Sequence, residues 1–261
     1  MSIASEISRL QTAKAGLKTA IEGKGVTVSD TATLDAYPAL VESIQTGGSG
    51  GSDDALKAMI ERTTTSIDIP NGVTKIGDYA FYTWGTMGAA YKLTGVTIPD
   101  SVTSIGNYAF YECRNAVITS LPVNLKTVGD GAFCCAFKLT VSELPSGLTS
   151  IGSSGFDGTD IAITSLPSGL TKINGTAFRE CSEITTLTIH SGIQSIGQYA
   201  FYNCGNLTTV TFEGTPTSMQ SSIFNYCTNL KTINVPWSSG AVKNAPWGAT
   251  NATINYNYTG A

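Results

Sequence analysis

Residues 181–204 read CSEITTLTIHSGIQSIGQYAFYNC, and this stretch sets the pattern for most of the chain. An Ala-Phe or Gly-Phe pair, replaced by Ile-Phe in the last copy, recurs along the sequence, and its phenylalanine stands at Phe81, Phe110, Phe133, Phe156, Phe178, Phe201 and Phe224, at intervals of 29, 23, 23, 22, 23 and 23 residues. Five residues before each phenylalanine stands an aliphatic residue or methionine: Ile76, Ile105, Val128, Ile151, Ile173, Ile196 and Met219. A third apolar column, in most copies followed by proline, runs through Ile69, Ile98, Leu121, Leu144, Leu166, Ile189, Phe212 and Val235. Columns that stay in step over this length indicate an array of stacked structural repeats.

One repeat predicts one coil of a solenoid. The pattern L-x-x-V-x-F at Leu207, Val210 and Phe212 predicts a short strand with these side chains pointing inward. The chain then turns, brings the second apolar column inward, and passes through a short helical or irregular piece that inserts the phenylalanine. Glycines such as Gly77, Gly106 and Gly197 are expected where the coil turns. Coils stacked at the strand spacing of about 4.8 Å would give a core roughly 34 Å long.

The repeat resembles the BspA-like leucine-rich repeats, whose consensus is approximately C-x-x-L-x-x-I-x-L-P-x-x-L-x-x-I-G-x-x-A-F. Residues 181–201 match nearly every marked column, with His190 in place of the proline, and the resemblance covers residues 65–236. Two copies depart from it, one with Thr159 at the cysteine position and one with residues 216–220 in place of L-x-x-I-G. The resemblance implies a mainly β protein with short helices, folded as a right-handed, curved leucine-rich repeat solenoid of about seven coils. It also implies a surface protein that binds other macromolecules and is not an enzyme.

Composition and charge narrow the possible functions. Charged residues are 13% of the chain, and 15 Lys+Arg against 19 Asp+Glu give a net charge of −4. Nucleic-acid binding is therefore not expected, because it needs a clustered basic face. The single histidine, His190, excludes a multi-histidine metal site, so we expect neither a metal nor a cofactor. The first residues lack the basic and apolar pattern of a secretory signal, so we expect either that the protein is not exported by that route or that a signal has been removed. No apolar run in the sequence approaches the length of a membrane span.

A few residues are candidates for thiol chemistry or for catalysis. Cys113, Cys181, Cys204 and Cys227 each follow a repeat phenylalanine by three residues, which predicts a ladder of buried thiols. Cys204 and Cys227 lie on neighbouring coils, so a disulfide bond between them is sterically possible. Cys134 and Cys135 are out of register, which allows one of them to be exposed. The scattered Glu143, Glu183 and Glu213 do not favour a glycosidase pair, and His190 is expected in an exposed loop; a hydrolase that uses Glu143 or His190 is a remote alternative.

Two surfaces are the best candidate binding sites. Outward strand positions predict a nearly uncharged strand-face ladder of Thr97, Ser120, Glu143, Thr186, Thr188, Thr209, Thr211 and Asn234. The alternative is that threonine is simply a good exposed strand residue. Aromatic residues beside the repeat phenylalanines predict a second surface of Tyr79, Tyr82, Trp84, Tyr108, Tyr111, Tyr199 and Tyr202. Such rings stack on sugars or anchor protein interfaces, and the alternative is that they pack between coils.

The ends of the array predict separate units. Residues 53–64 read as an N-terminal capping helix, and residues 237–261, with Trp237 and Trp247, as a C-terminal cap. Residues 47–52 form a Gly/Ser linker. Residues 1–46 predict a helical module for attachment or for homo-oligomerisation, through the stripe Ile3, Ile7, Leu10, Leu17 and Ile21.

The two terminal segments carry a second resemblance. Residues 7–28 and 235–256 look like segments of phage and prophage tail-associated proteins of gut bacteria. This resemblance implies a virion component that acts at an extracellular surface and presents the solenoid to a protein or glycan on a bacterial or mucosal surface. The alternative is a secreted or cell-surface leucine-rich repeat adhesin of a gut bacterium.

Overall fold

The computed structural model describes residues 66–82 and 93–260, and this part of the chain forms a β-solenoid. Every strand pairing in it is parallel and joins one coil to the next. It contains no helix, so no helix there could cross a membrane. The described strands are β1 (Ser66–Asp68), β2 (Lys75–Ile76), β3 (Gly95–Thr97), β4 (Ser104–Ile105), β5 (Thr127–Val128), β6 (Ser150–Ile151), β7 (Lys172–Ile173), β8 (Thr186–Ile189), β9 (Ser195–Ile196), β10 (Thr209–Phe212), β11 (Ser218–Met219), β12 (Thr232–Asn234) and β13 (Thr253–Asn255).

The strands line two sides of the solenoid. On the first side, β1 pairs with β3, and β8, β10, β12 and β13 form a four-stranded sheet. On the second side, β2, β4, β5 and β6 form one sheet, and β7, β9 and β11 form another. The register of the second side joins Ile76, Ile105, Val128 and Ile151, which are successive members of the second apolar column. Each sequence column is therefore one ladder of side chains in the core, as the repeat predicts.

The third side of each coil carries the repeat phenylalanine in a run of turns. From Phe110 to Phe201, the residues two before and two after each repeat phenylalanine take left-handed φ angles, as Tyr199 (58°) and Asn203 (54°) do around Phe201. Alternate N–H groups of this run donate to carbonyl oxygens of the next coil, for example Phe110 N to Ala132 O at 2.7 Å and Glu112 N to Cys134 O at 2.8 Å.

These bonds explain why this piece is irregular, one of the two forms expected for it, and why the described residues contain no short helix. A helix needs its N–H groups for carbonyls four residues back in the same segment, whereas here they connect coils.

The phenylalanines form a continuous stack through the core. Centroids of successive rings from Phe81 to Phe224 lie 4.8 to 5.8 Å apart, and neighbouring planes are within 16° of parallel. The six rings from Phe110 to Phe224 are fully buried, while Phe81 is half-buried at the front of the array. The stack confirms the phenylalanine column as the centre of the core.

The repeated glycines have a different cause from the one expected. Gly106 and Gly197 do not adopt left-handed φ angles, so the turn itself does not require them. A Cβ on Gly106 would lie 2.6 Å from the backbone nitrogen of Asp78, and one on Gly197 would lie 2.5 Å from that of Gly175. Glycine stands in this column because the backbones of adjacent coils pass too close together for a side chain.

The C-terminal end of the array is covered by aromatic side chains. β13 continues the sheet beyond the last repeat, with Ile254 beside Ile233. The rings of Trp237 and Trp247 meet Phe212 at centroid distances of 5.2 and 6.3 Å, and Trp247 is fully buried. The expected helical module, linker and capping helix lie outside the described residues.

Candidate binding surfaces

The strand face of β8, β10, β12 and β13 carries two rows of polar side chains. One row joins Thr186, Thr209, Thr232 and Thr253, and the other joins Thr188, Thr211, Asn234 and Asn255. The intervening strand residues, such as Leu187 and Val210, are buried, so both rows point away from the core. Reasoning from the repeats missed Thr253 and Asn255, because β13 lies beyond the last repeat. We call these eight residues the polar rows.

Asn234 is a correction to the predicted ladder. Asn234 is only 7% exposed, because Asn255 on β13 covers it. The Asn234 amide donates to Thr211 Oγ1 at 3.1 Å and accepts a hydrogen bond from Asn255 Nδ2 at 2.8 Å. Asn234 therefore fixes the edge of the row and is not itself available as a contact for a ligand.

The predicted ladder is also not continuous along the array. Thr97 lies on β3 beside Asp68 of β1, but Ser120 and Glu143, although exposed, lie outside any strand. In their coils the backbones are joined by isolated bridges such as that between Ile118 and Leu139.

The coils of Ser120 and Glu143 have Pro122 and Pro145 one residue after the third apolar column, where proline has no N–H to donate. Pro99 and Pro236 stand at the same position in the coils of β3 and β12, which do form paired strands. Proline alone therefore does not explain the interruption. The strand face is divided into a short ladder near Thr97 and the polar rows.

The predicted aromatic surface divides into two groups. Tyr79 stacks on Tyr108 and Tyr82 stacks on Tyr111, with centroid distances of 5.3 and 5.2 Å, and edge-to-face contacts join the two stacks. The second group comprises Tyr199, Tyr202 and Tyr226, with Tyr202 and Tyr226 5.1 Å apart. Tyr226, at 65% exposure, was missed because it stands two residues after Phe224, one position beyond the column of Tyr202. Trp84 lies outside the described residues.

Between the two aromatic groups lies a pocket of about 430 Å³. Here the tyrosine position two residues before the phenylalanine is taken by Gly131, Ser154 and Thr176, and smaller or charged side chains replace the tyrosine after it. The pocket is lined by side chains that include Tyr108, Tyr111, Cys134, Cys135, Asp157 and Arg179.

The carboxyl group of Asp157 is the most perturbed acid at this pocket. Burial raises its pKa to about 6, against the opposing effect of Arg179, whose Nη1 lies 3.9 Å from the carboxylate. The nearby Glu180 raises the pKa further, and a hydrogen bond from Ser154 lowers it. The pocket is thus polar at its base and aromatic at one wall.

The thiols three residues after the phenylalanines form the expected ladder. Cys113, Cys181, Cys204 and Cys227 are buried and free, and each thiol donates to the carbonyl of the phenylalanine one coil earlier, at 3.0 to 3.3 Å. Burial raises the pKa of Cys181 to about 12, which disfavours a reactive thiolate. Cys204 and Cys227 form no disulfide here. In the described part of the chain no group of three or more His, Cys, Asp or Glu side chains could hold a metal ion.

His190 does not lie in the exposed loop that the sequence predicts. Its side chain is half-buried, Nδ1 accepts a hydrogen bond from Gly192 N at 3.1 Å, and Nε2 is buried without a hydrogen-bond partner. Glu143, Glu183 and Glu213 are all exposed.

Comparison with known proteins identifies the family to which the repeats belong. Residues 58–167 and 150–251 match the model of the BspA type leucine-rich repeat region, in six copies. The chain belongs to this family. A leucine-rich repeat protein from T. pallidum is 25% identical with a TM-score of 0.53, and the match covers 64% of this chain and 78% of that one.

Other leucine-rich repeat structures are more distant. A protein from Bacteroides ovatus is 18% identical (TM-score 0.40, 72% and 68% of the two chains), and a leucine-rich cell surface protein from Faecalibacterium prausnitzii is also 18% identical (TM-score 0.31, 76% and 88%). Comparison with curated proteins found no match. None of these comparisons supports the resemblance of the terminal segments to phage tail-associated proteins.

Proposed function

We propose that this BspA-type leucine-rich repeat protein is a non-catalytic binding protein whose polar rows, apart from the covered Asn234, contact a protein or glycan of a cell surface. The observation that supports the proposal is the in-register alignment of hydroxyl and amide groups over four strands. None of the eight residues is charged, and neighbouring groups in a row repeat at the strand spacing of about 4.8 Å. Such a face offers many weak hydrogen bonds, each contributing about 0.5–1.5 kcal/mol, to an extended ligand.

The uncharged character of the face has a measurable consequence. Interactions between exposed charges weaken as salt is added, whereas hydrogen bonds between neutral groups do not depend on screening. Binding through the polar rows is therefore expected to change less than about twofold between low and moderate salt.

The binding proposal is tested with a pair of matched variants of the full chain. Thr186→Glu with Thr209→Glu places two charges on one polar row, and Ser150→Glu with Ser218→Glu places two charges on the second side of the solenoid, where both serines are exposed. Binding to a glycan array and to surface extracts of gut bacteria is measured by biolayer interferometry. We expect the first variant to weaken binding at least tenfold and the second to leave it unchanged. Equal effects of the two variants, or a steep salt dependence, would contradict the proposal.

The finer proposal is that the chain is a phage or prophage tail-associated adhesion protein, with residues 1–46 as the attachment or oligomerisation module. It is supported by the sequence alone: the linker at 47–52 separates this module from the repeats, and both terminal segments resemble tail-associated proteins. Light scattering of the full chain and of a form lacking residues 1–46 tests it. A monomer that keeps every interaction after the deletion would contradict attachment. Neighbouring tail genes would favour this role, and an upstream signal-coding start would favour a secreted adhesin.

A further inference from the structure

The adjacent thiols Cys134 and Cys135 stand apart from the buried thiol ladder. Both are half-buried and free, and both line the pocket between the two aromatic groups. Their sulfur atoms are 3.6 Å apart. Cys135 is one of the residues with a left-handed φ, at 61°, and this turn of the backbone brings its side chain beside that of Cys134.

The surroundings of the pair favour one thiolate. The hydrogen bond from the Cys134 thiol lowers the pKa of Cys135, with help from the positive charge of Arg114 and against burial and the carboxylates of Glu112 and Asp157. The same hydrogen bond raises the pKa of Cys134. One sulfur is thus the better nucleophile, and its neighbour holds a proton within reach.

We propose that Cys134 and Cys135 form a redox-reactive dithiol that is oxidised by low-molecular-weight disulfides to a vicinal disulfide. The Cys135 thiolate attacks one sulfur of the small disulfide, forms a mixed disulfide and expels a thiolate, which takes up a proton. Cys134 then loses its proton and attacks the Cys135 sulfur, expelling the second small thiol. In sum, two protein thiols are oxidised to one disulfide and one small disulfide is reduced to two thiols.

The geometry makes this oxidation possible and readily reversible. The sulfurs need to move from 3.6 Å to a bond of about 2.05 Å, which side-chain rotation provides. Adjacent Cα atoms are about 3.8 Å apart, closer than the roughly 4.4–6.8 Å of ordinary disulfides, so the bond formed is strained. Strained, accessible disulfides are the easily reduced ones. Oxidation also changes the wall of the pocket, which couples its shape to the thiol redox state.

Two contacts hold the backbone while the sulfurs react. Cys134 N donates to Gly131 O at 3.1 Å, and Cys135 N donates to Asp157 O of the next coil at 2.8 Å. Because these bonds tie both residues to the array, the dithiol reacts on a fixed backbone.

The experiment treats the reduced full chain with oxidised glutathione, blocks remaining thiols with an alkylating agent and examines tryptic peptides by mass spectrometry. Residues 127–138 form a tryptic peptide that holds Cys134 and Cys135 and no other cysteine. We expect this peptide to escape alkylation, with a mass two hydrogens below that of the free dithiol, and to take up two alkyl groups again after addition of reduced glutathione. The peptides containing Cys113, Cys181, Cys204 and Cys227 are the internal control and stay reduced.

Two single variants separate the roles of the thiols. Cys134→Ser is expected to stop at the glutathione mixed disulfide on Cys135, and Cys135→Ser to react at least tenfold more slowly than the unaltered chain. The proposal fails if the unaltered chain accumulates only mixed disulfides, if both variants react equally fast, or if the buried thiols react as fast as this pair. Circular dichroism of each variant verifies that the solenoid is intact when these rates are compared.

Discussion

Replacing Phe156 by alanine tests the continuous phenylalanine stack at its centre. The Phe156 ring is fully buried and lies between Phe133 and Phe178, with centroid distances of 5.5 and 5.8 Å and planes 8° and 5° from parallel. Loss of a buried phenylalanine side chain costs about 3–5 kcal/mol, which includes the transfer term and the cavity left behind. Neighbouring coils cannot close this cavity, because their backbones are hydrogen-bonded on either side of it, as Phe156 N to Ala177 O shows.

The matched control is Phe81→Ala at the front of the array. Phe81 is half-buried and stacks on Phe110 at a centroid distance of 4.8 Å. Its replacement by alanine therefore removes less buried apolar area, and it leaves no enclosed cavity because one side of the ring already faces solvent. We expect its loss to cost about 1–2 kcal/mol. Both values come from urea unfolding of the full chain, followed by circular dichroism and fitted with a common slope.

Unfolding of the central variant carries a second signal. Each coil of a solenoid contacts only its neighbours, so a weakened central coil lowers the coupling between the two halves of the array. We expect a shallower or biphasic transition for Phe156→Ala and a single transition for Phe81→Ala. A cost for Phe156→Ala that is no larger than that for Phe81→Ala would refute the stack as the main source of stability in the core.

Three further predictions concern the coil contacts and the pocket. Gly129→Ala should lower the free energy of unfolding in urea by about 1–3 kcal/mol, because its Cβ would lie 2.6 Å from backbone atoms of the adjacent coil. Gly205→Ala is the control and should lower it by less than about 0.5 kcal/mol, because a Cβ there meets nothing within 4 Å. Asn174→Ala should lower the free energy of unfolding by about 1 kcal/mol in the same measurement. The reason is that Asn174 Nδ2 donates to Ile151 O at 2.7 Å across the gap between the two sheets of the second side. An unchanged unfolding midpoint would contradict this prediction. Because burial raises the pKa of Asp157 from 3.8 to about 6, the folded chain binds this proton more tightly than the unfolded chain, so stability should fall as pH rises from about 4 to about 6. Asp157→Asn should flatten that part of the profile of melting temperature against pH, and a profile identical to that of the unaltered chain would show that the carboxyl group does not titrate as described.

The core could be predicted from the sequence because its signal is large and periodic. Phe201 and Ile196 recur in step with their counterparts, and a side chain that packs on its own copy one coil away must stand in the same column. The thiol ladder was predictable for the same reason. Thr159, which takes the cysteine position in one copy, is buried and donates a hydrogen bond to Phe156 O of its own coil at 2.8 Å.

The backbone of the third side could not be predicted from residue preferences. Left-handed φ angles occur at Tyr79, Glu112 and Thr176, which are not residues that favour this conformation. Hydrogen bonds to the next coil hold them there, and no single repeat contains the acceptor. The interruption of the strand face could not be predicted from Pro122 and Pro145, because Pro99 and Pro236 stand at the same position in coils that keep their strands.

The sites that distinguish this chain lie where the repeat is broken, and the physics of stacking explains why. A column that packs on its own copies is restricted to residues that stack, such as Phe133 or Ile151, so it carries information about the fold and none about a ligand. Departures from the tyrosine positions have no such restriction, because those side chains reach the surface. Gly131 and Ser154 open the pocket, and Cys134 places a second thiol beside Cys135. Aligning the coils and examining the irregular positions therefore leads from the sequence to this pocket, whereas the polar rows lie in regular columns and have to be recognised by their outward direction.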